Sequence, residues 1–159
     1  MIYAGIDPGK KGAIAIIDTV EETVIAYKMP LLPGGKDLDV GEIAKILWDV
    51  DFVTIEKQQV MRRPNKKGEY VKQGAVSAFS IGYQFGLLKG ICKGLNKQFI
   101  IVRPQDWKKV VLHGTRKDKA AAIEYVENKY PYLEIIGGRK VTDGVADAVC
   151  LAEYGKKTR

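Results

Sequence analysis

The stretch IYAGIDPGKKGAIAIIDTVEETVIAYKM, residues 2–29, decides the fold because it holds three strand patterns with short turns between them. Residues 2–7 alternate and are stopped by Pro8-Gly9, residues 12–18 are rich in isoleucine, and residues 24–29 give a third strand. Short turns join antiparallel neighbours. The sequence therefore predicts an antiparallel meander of three strands at the start of the chain.

Helix and strand patterns alternate over the rest of the chain. Asp39 and Glu42 fit a capping box that starts a helix, and the β-branched residues 50–55 predict a buried strand that ends at Glu56. The remaining patterns predict a helix over 74–95, a strand over 99–103, a short helix from Pro104, a helix over 115–130, a loop over 131–141 and a helix over 142–154 that Gly155 closes. This order predicts an α/β fold, with a mixed five-stranded sheet of three antiparallel and two parallel strands, flanked by helices.

Length and composition are those of one folded domain. The chain has 159 residues, 46% hydrophobic and 28% charged, so we expect a single domain over 1–159 with a basic C-terminal tail from about residue 155. No stretch approaches the roughly 18 consecutive apolar residues of a membrane span. Because Met1 leads directly into a strand pattern, we predict no cleavable targeting signal and a cytoplasmic location, bacterial or in a phage-infected host.

The charge balance favours an anionic partner. There are 26 Lys and Arg against 19 Asp and Glu, a net charge of +7, which is typical of proteins that bind nucleic acid. Cys92 and Cys150 stand alone in apolar settings, so we predict reduced, buried thiols and no structural zinc. Trp107 is predicted to pack in the core, and His113 to lie in a loop without a catalytic role.

Four carboxylates stand where strands end or a helix begins. Asp7 ends the first strand, Glu56 ends the fourth, and Asp143 and Asp147 lie in the first turns of the last helix. Structural alternatives exist: Asp7 as a turn residue, Asp143 as a helix N-cap, and Asp147 as a complement to the helix dipole. Carboxylates held together repel one another, and a hard divalent cation with oxygen ligands relieves that repulsion. We therefore predict that all four converge on a site for two Mg²⁺ ions of the kind that cleaves phosphodiesters.

These residues resemble the RuvC-type Holliday junction resolvases. The motifs are Ile6-Asp7-Pro8-Gly9 with Gly12, Ile55-Glu56, and the run from Asp143 to Ala148. They cover nearly the whole chain in the expected order. The resemblance, possibly to a bacteriophage branch, implies a ribonuclease H-like fold, a homodimer, and Mg²⁺-dependent paired nicking of four-way DNA junctions, with Mn²⁺ as a substitute ion and no small-molecule cofactor.

The resemblance also assigns residues. The family's metal-binding carboxylates fall on Asp7, Glu56 and Asp147, and two functionally important lysines eleven residues apart fall on Lys108 and Lys119. These lysines would act electrostatically at the scissile phosphate.

This chain departs from the family at two places. Bacterial members usually carry a further ligand three residues before the last aspartate, where this chain has Gly144 and places the acid one residue earlier, at Asp143. Bacterial members also carry an aromatic wedge after the fourth-strand glutamate, a position for which Val60 and Met61 are the candidates here.

A polar, basic segment over 57–73 leaves directly from the fourth strand. We predict that its cations bind DNA: Lys57, Arg62, Arg63, Lys66, Lys67 and Lys72. A cationic segment beside an acidic site would draw DNA towards carboxylates that otherwise repel it. The alternative is a solvated loop without a partner.

A small-residue stripe runs along the long helix. Gly74, Ala78, Gly82, Gly86, Gly90 and Gly94 recur every four residues. Each interior glycine costs about 0.8–1.0 kcal/mol relative to alanine, so close approach of another element must offset the cost. That element is either part of the same chain or a second copy, as in the family, whose corresponding helix lies at its dimer interface.

The function predicted on these grounds is a Mg²⁺-dependent, structure-selective endonuclease that resolves Holliday junctions and other branched DNA by paired nicks, with forks and flaps as further candidate substrates. Three alternatives are weighed against it. One is another ribonuclease H-fold nuclease, acting on RNA–DNA hybrids or in viral packaging. Another is a phosphotransferase of the actin and sugar-kinase type, for which 159 residues are too few. The third is a module that binds branched DNA without cutting it.

Overall fold

The computed structural model describes residues 1–58, 63–64, 70–71 and 74–159. Its first three strands, β1 Ile2–Asp7, β2 Ala13–Asp18 and β3 Thr23–Lys28, form the predicted antiparallel meander. The β1–β2 turn is tight: a Cβ on Gly12 would lie 2.0 Å from the carbonyl oxygen of Asp7, so only glycine fits there.

The middle of the chain adds two parallel strands. Its elements are α1 Val40–Ile46, β4 Phe52–Glu56, the two-residue strands β5 Arg63–Pro64 and β6 Tyr70–Val71, α2 Ala75–Gly94 and β7 Gln98–Val102. β4 pairs parallel with β1, and β7 pairs parallel with β4. Asp39 caps α1 as predicted, since its Oδ1 accepts a hydrogen bond from the Glu42 amide at 3.0 Å.

The last third contains α3 Pro104–Val111, α4 Lys119–Lys129, β8 Glu134–Ile136 and α5 Asp143–Thr158. The prediction of a loop over 131–141 was wrong in part, because β8 pairs parallel with β3. In the described residues the main sheet therefore has six strands rather than five, in the order β7-β4-β1-β2-β3-β8. A three-residue strand is too short to show an alternating pattern.

Two helix bounds also differ from the prediction. α4 begins at residue 119 rather than 115, because Asp118 caps it by accepting a hydrogen bond from the Ala121 amide at 2.8 Å. α5 continues through the basic C-terminal residues to Thr158 instead of stopping at Gly155. A Cβ on Gly155 would lie 2.7 Å from the Thr54 hydroxyl oxygen, so this glycine permits close packing on β4 and does not end the helix.

The sheet separates two apolar layers. On one face α1 and α2 pack over Ile6, Ile14 and Ile55. On the other, α3 and α4 surround the alanine-rich α5. Gly5 brings α5 very close to β1, since a Cβ there would lie 2.0 Å from the carbonyl oxygen of Ala148. Within the described ranges, no helix combines the length and apolar character that a membrane crossing needs.

Candidate active site

The sheet brings two of the predicted carboxylates to one edge. In the parallel β1–β4 pair, Ile6 is opposite Ile55, so Asp7 and Glu56 both end their strands one residue later. α5 begins at the same edge. A Cβ on Gly144 would lie only 3.1 Å from Asp7 Oδ2, which places the Asp7 carboxylate against the first turn of α5.

The start of α5 carries the other two carboxylates. Thr142 is the N-cap, and its hydroxyl oxygen accepts a hydrogen bond from the Val145 amide at 3.4 Å. Asp143 is therefore not the cap, and that structural alternative is excluded. Asp143 is exposed in the first turn, and Asp147 is half-buried one turn later.

The close packing at Gly144 accounts for one departure from the resolvase pattern. A Cβ at this position would lie 2.6 Å from the carbonyl oxygen of Lys11 and 2.9 Å from the Cα of Gly12. Backbone atoms cannot move aside as a flexible side chain can. This chain therefore has no space for an acidic side chain at 144, and its first-turn acid stands at Asp143 instead.

Glu56 has a fixed partner that the sequence did not reveal. Trp107 is fully buried, as predicted, and its Nε1 donates a 2.8 Å hydrogen bond to Glu56 Oε2. Burial raises the pKa of Glu56, while the Trp107 hydrogen bond and the charge of Lys108 act in the opposite direction. Trp107 and Glu56 are 51 residues apart in the sequence, so no local sequence pattern could indicate their contact.

The two predicted lysines belong to the two helices beside this edge: Lys108 lies within α3, and Lys119 begins α4. Lys108 is on α3 with its Nζ 5.2 Å from the centre of the Trp107 ring, and its charge influences the pKa of Glu56. Lys108 therefore lies near the Glu56 carboxylate. Lys119 is the first residue of α4, and its side chain lies outside the described part of the structure.

The basic segment over 57–73 is described only in part. Lys57 follows Glu56 directly, is exposed, and its amide donates a 2.7 Å hydrogen bond to the carbonyl oxygen of Val102. Arg63 begins β5, which pairs antiparallel with β6. The other predicted DNA-binding and wedge residues lie outside the described residues: Val60, Met61, Arg62, Lys66, Lys67 and Lys72.

The elements that carry the four carboxylates converge at one edge of the sheet, but the described side chains do not form a complete metal-binding group. Across residues 1–58 and 74–159 and the short strands between them, no three His, Cys, Asp or Glu side chains are grouped so that they could hold a metal ion. The donor chemistry nevertheless fits a hard cation, because carboxylate oxygens are the ligands that Mg²⁺ prefers. The four metal ligands therefore stay a prediction.

Comparison with known proteins gives matches among solved structures alone. No protein-family model and no curated protein sequence matches the chain. Thermus thermophilus RuvC in complex with Holliday junction substrate is 13% identical with a TM-score of 0.64, and the match covers 99% of this chain and 96% of that one. A second Thermus thermophilus RuvC structure is 16% identical with a TM-score of 0.61 at the same coverage. The yeast mitochondrial Holliday junction resolvase Ydc2 is 13% identical, with a TM-score of 0.48 and coverage of 95% and 75%.

The two RuvC matches show the fold. The chain has a ribonuclease H-like α/β fold with a mixed sheet between two helical layers. More particularly, it has the fold of the RuvC Holliday junction resolvases over nearly its whole length. The fold class implied by the sequence resemblance is confirmed.

Proposed function

We propose that this protein is a Mg²⁺-dependent, structure-selective endonuclease that resolves Holliday junctions and related branched DNA by paired nicks. One observation carries the proposal: Asp7 and Glu56 end adjacent parallel strands at the edge where α5 begins with Asp143 and Asp147. The shared fold with a RuvC that is complexed with Holliday junction substrate supports the choice of substrate. A cytoplasmic location stays a prediction.

The carboxylates would hold the metal. Asp7, Glu56 and Asp147, with Asp143 beside them, supply the oxygen ligands for two Mg²⁺ ions, or for Mn²⁺ in their place. Bound there, the ions would supply an activated water and a counter-charge for the leaving oxygen. The raised pKa of Glu56 reflects a carboxylate removed from water, and a bound cation would offset that desolvation.

The residues beside the carboxylates would orient Glu56 and neutralise the charge of the scissile phosphate. Trp107 donates its indole N–H to one oxygen of Glu56 and leaves the other oxygen available to a metal. Partners of this kind fix the orientation of a ligand and tune its affinity for the ion. Lys108, and Lys119 at the start of α4, would place positive charge beside the scissile phosphate.

A second copy of the chain would complete the enzyme, because two nicks on one junction need two sites. A Cβ added to Gly82, Gly86 or Gly90 meets no atom within 4 Å among the described residues. The same helix exposes 74% of Phe79 and 46% of Tyr83. The described part of the chain thus provides no element that would offset the cost of these glycines. A symmetric contact between two α2 helices would provide one.

The test is cleavage of matched DNA substrates. End-labelled four-way junction, fork, linear duplex and RNA–DNA hybrid are incubated in Mg²⁺, in Mn²⁺ and in EDTA. The wild type is compared with Asp7→Asn and with Asp49→Asn, an exposed aspartate next to the start of β4 at the opposite edge of the sheet. We expect symmetric nicks on the junction, lost in EDTA and in Asp7→Asn and retained in Asp49→Asn.

Other outcomes point to the alternatives. Equal cutting of forks would broaden the activity to a branch nuclease. Preferential cutting of the hybrid or of linear duplex would favour another nuclease with the same fold. If the protein binds the junction but does not cut it in either metal, the proposed nuclease activity is wrong and the protein is a branched-DNA-binding protein.

A further inference from the structure

A basic crevice lies beside the candidate active site, on the side away from β4. Its volume is about 590 Å³, and it is lined by Lys10, Lys11, Lys28 and Lys140 together with the first residue of α5, Asp143. The 57–73 segment, to which the sequence assigned DNA binding, supplies none of these lysines. They come instead from three other segments of the chain.

The fold explains why these segments meet. Lys10 and Lys11 lie in the β1–β2 turn, three and four residues after Asp7. Lys28 ends β3 at the same edge, because it pairs with Ala13, which in turn pairs with Asp7. The third segment is the loop that carries Lys140 just before α5.

Lys28 is held in place by the backbone beneath it. A Cβ on Gly137 would lie 3.5 Å from the Cβ of Lys28, and a Cβ on Gly138 would lie 2.9 Å from its Cε. The alkyl stem of Lys28 therefore lies along bare glycine backbone, and any larger residue at 138 would displace it. Such packing of an alkyl stem leaves the ammonium at the water-facing end.

The charge of the crevice is unbalanced. Four lysines face one carboxylate, that of Asp143. None of the four forms an ion pair with the part of the chain that the structure describes. Like charges gathered at one place repel, and an anionic partner that bridges several of them relieves that repulsion.

We propose that this lysine crevice binds the sugar–phosphate backbone of a DNA arm, as a second nucleic-acid surface on the β3 side of the site. The inference rests on the proposed function and adds to it. In the sheet order, β4 lies on one side of β1, with the exposed Lys57 directly after it, while β2 and β3 lie on the other. DNA at the carboxylate edge would thus be gripped on both flanks. Since ammonium groups act as point charges, these contacts position the DNA without reading its sequence.

The first test measures the salt dependence of binding. Lys28→Gln with Lys140→Gln is compared with Lys93→Gln with Lys157→Gln, a pair of exposed helix lysines that makes the same change in net charge. Binding to a four-way junction is titrated in EDTA, where no cleavage occurs, over a range of salt. Because each phosphate contact contributes about 0.9 to the slope of log K against log salt, the crevice variant is expected to lose about 1.8 from its slope. The control pair is expected to keep the wild-type slope.

The second test is amine footprinting of the wild type by acetylation and mass spectrometry. The four crevice lysines are expected to be protected by junction DNA, while Lys93 and Lys157 stay reactive. Inorganic phosphate is the comparison ligand. If phosphate alone protects the crevice lysines as well as DNA does, the crevice is a small-anion site and the proposal is wrong.

The outcomes separate this proposal from the proposed function. If the wild type cuts junctions, but the crevice variant keeps the wild-type slope and DNA does not protect the crevice lysines of the wild type, the crevice proposal fails and the nuclease stands. If the wild type never cuts but the crevice variant loses slope, the nuclease fails and the DNA surface stands. If no DNA binds at all, both fail.

Discussion

At the scale of single residues, Glu56 is held both by burial and by a hydrogen bond. Burial raises its pKa, and the Trp107 indole partly reverses that effect by a 2.8 Å hydrogen bond. A hydrogen bond to a charged group contributes about 1.5–3 kcal/mol, enough to fix which way the carboxylate faces. Trp107 therefore acts on the proposed chemistry through Glu56.

Trp107→Phe keeps an aromatic ring and removes the N–H donor. We expect the Mg²⁺ concentration for half-maximal junction cleavage to rise about 10- to 100-fold, as for other losses of a ligand's hydrogen-bond partner. Trp48→Phe is the matched control, because Trp48 is 65% exposed next to the end of α1. An unchanged Mg²⁺ dependence in Trp107→Phe would show that the indole serves packing alone.

Gly144→Ala tests the close approach of α5 to the β1–β2 turn. The added methyl group would meet the Lys11 carbonyl oxygen at 2.6 Å, so we expect unfolding to become easier by about 1–3 kcal/mol, the usual cost of overpacking. Gly41→Ala, whose Cβ would have its nearest neighbour at 3.5 Å, controls for the change from glycine. Denaturant unfolding measures both. Equal stabilities for the two variants would contradict the packing argument.

At the scale of elements, a buried carboxylate on α5 forms hydrogen bonds with the end of α4. Glu153 on α5 is 1% exposed, and it accepts hydrogen bonds from Lys129 Nζ at 2.7 Å and from the Tyr130 hydroxyl. Burial alone would raise the pKa of Glu153, but these hydrogen bonds outweigh burial and lower it. A pKa lowered by folding means that the charged carboxylate stabilises the fold above its ordinary pKa of 4.5 and loses that effect as the pH falls through the folded value.

Glu153→Gln removes this charge and should cost about 1–3 kcal/mol of unfolding free energy at neutral pH. We expect the difference from wild type to be constant above the ordinary glutamate pKa of 4.5 and to shrink as the pH falls through the lowered pKa of Glu153, because the wild type then loses its ionised carboxylate. Denaturant unfolding over pH 3–7 measures it. A difference that does not change with pH would contradict the assignment.

The elements also show where reasoning from sequence succeeds. β1 and the cap at Asp39 were predictable because alternation and capping are local signals. β8 was missed because its pairing with β3 is a tertiary contact. The end of α5 was misplaced because Gly155 was taken as a stop signal, whereas its contact with β4 can be seen only in three dimensions.

The candidate site divides in the same way. Asp7, Glu56 and Asp147 could be proposed from the sequence because each ends a strand or lies near the start of a helix. The Trp107 contact and the crevice lysines were not found, since residues far apart in sequence create them.

At the scale of the whole molecule, the α2 face that carries the glycines is where the proposed dimer contact would form. Val40, Gly82, Gly86 and Gly90 line a groove of about 530 Å³ on this face. A bulky side chain in this groove would not clash with the described part of the same chain. It would prevent a second copy of the chain from packing against α2.

Gly86→Arg is therefore expected to leave the monomer folded and to abolish the dimer. Asn128→Arg, on the exposed surface of α4, makes the same change in charge and is expected to keep it. Sedimentation equilibrium measures the assembly, and a plasmid with an extruded cruciform measures the coupling of nicks. The wild type should give linear product, and Gly86→Arg should give nicked circles. A dimeric Gly86→Arg would exclude this face as the contact.

The contact between Gly5 and Ala148 also sets a spacing. At residue 5 the helix backbone comes nearer to the strand than any side chain would permit. Asp7 lies two residues further along that strand, and Asp147 is the residue before Ala148. The absence of a side chain at residue 5 thus sets the distance between β1 and α5, and with it the distance between Asp7 and Asp147. A larger residue at position 5 would increase that distance without contacting either carboxylate.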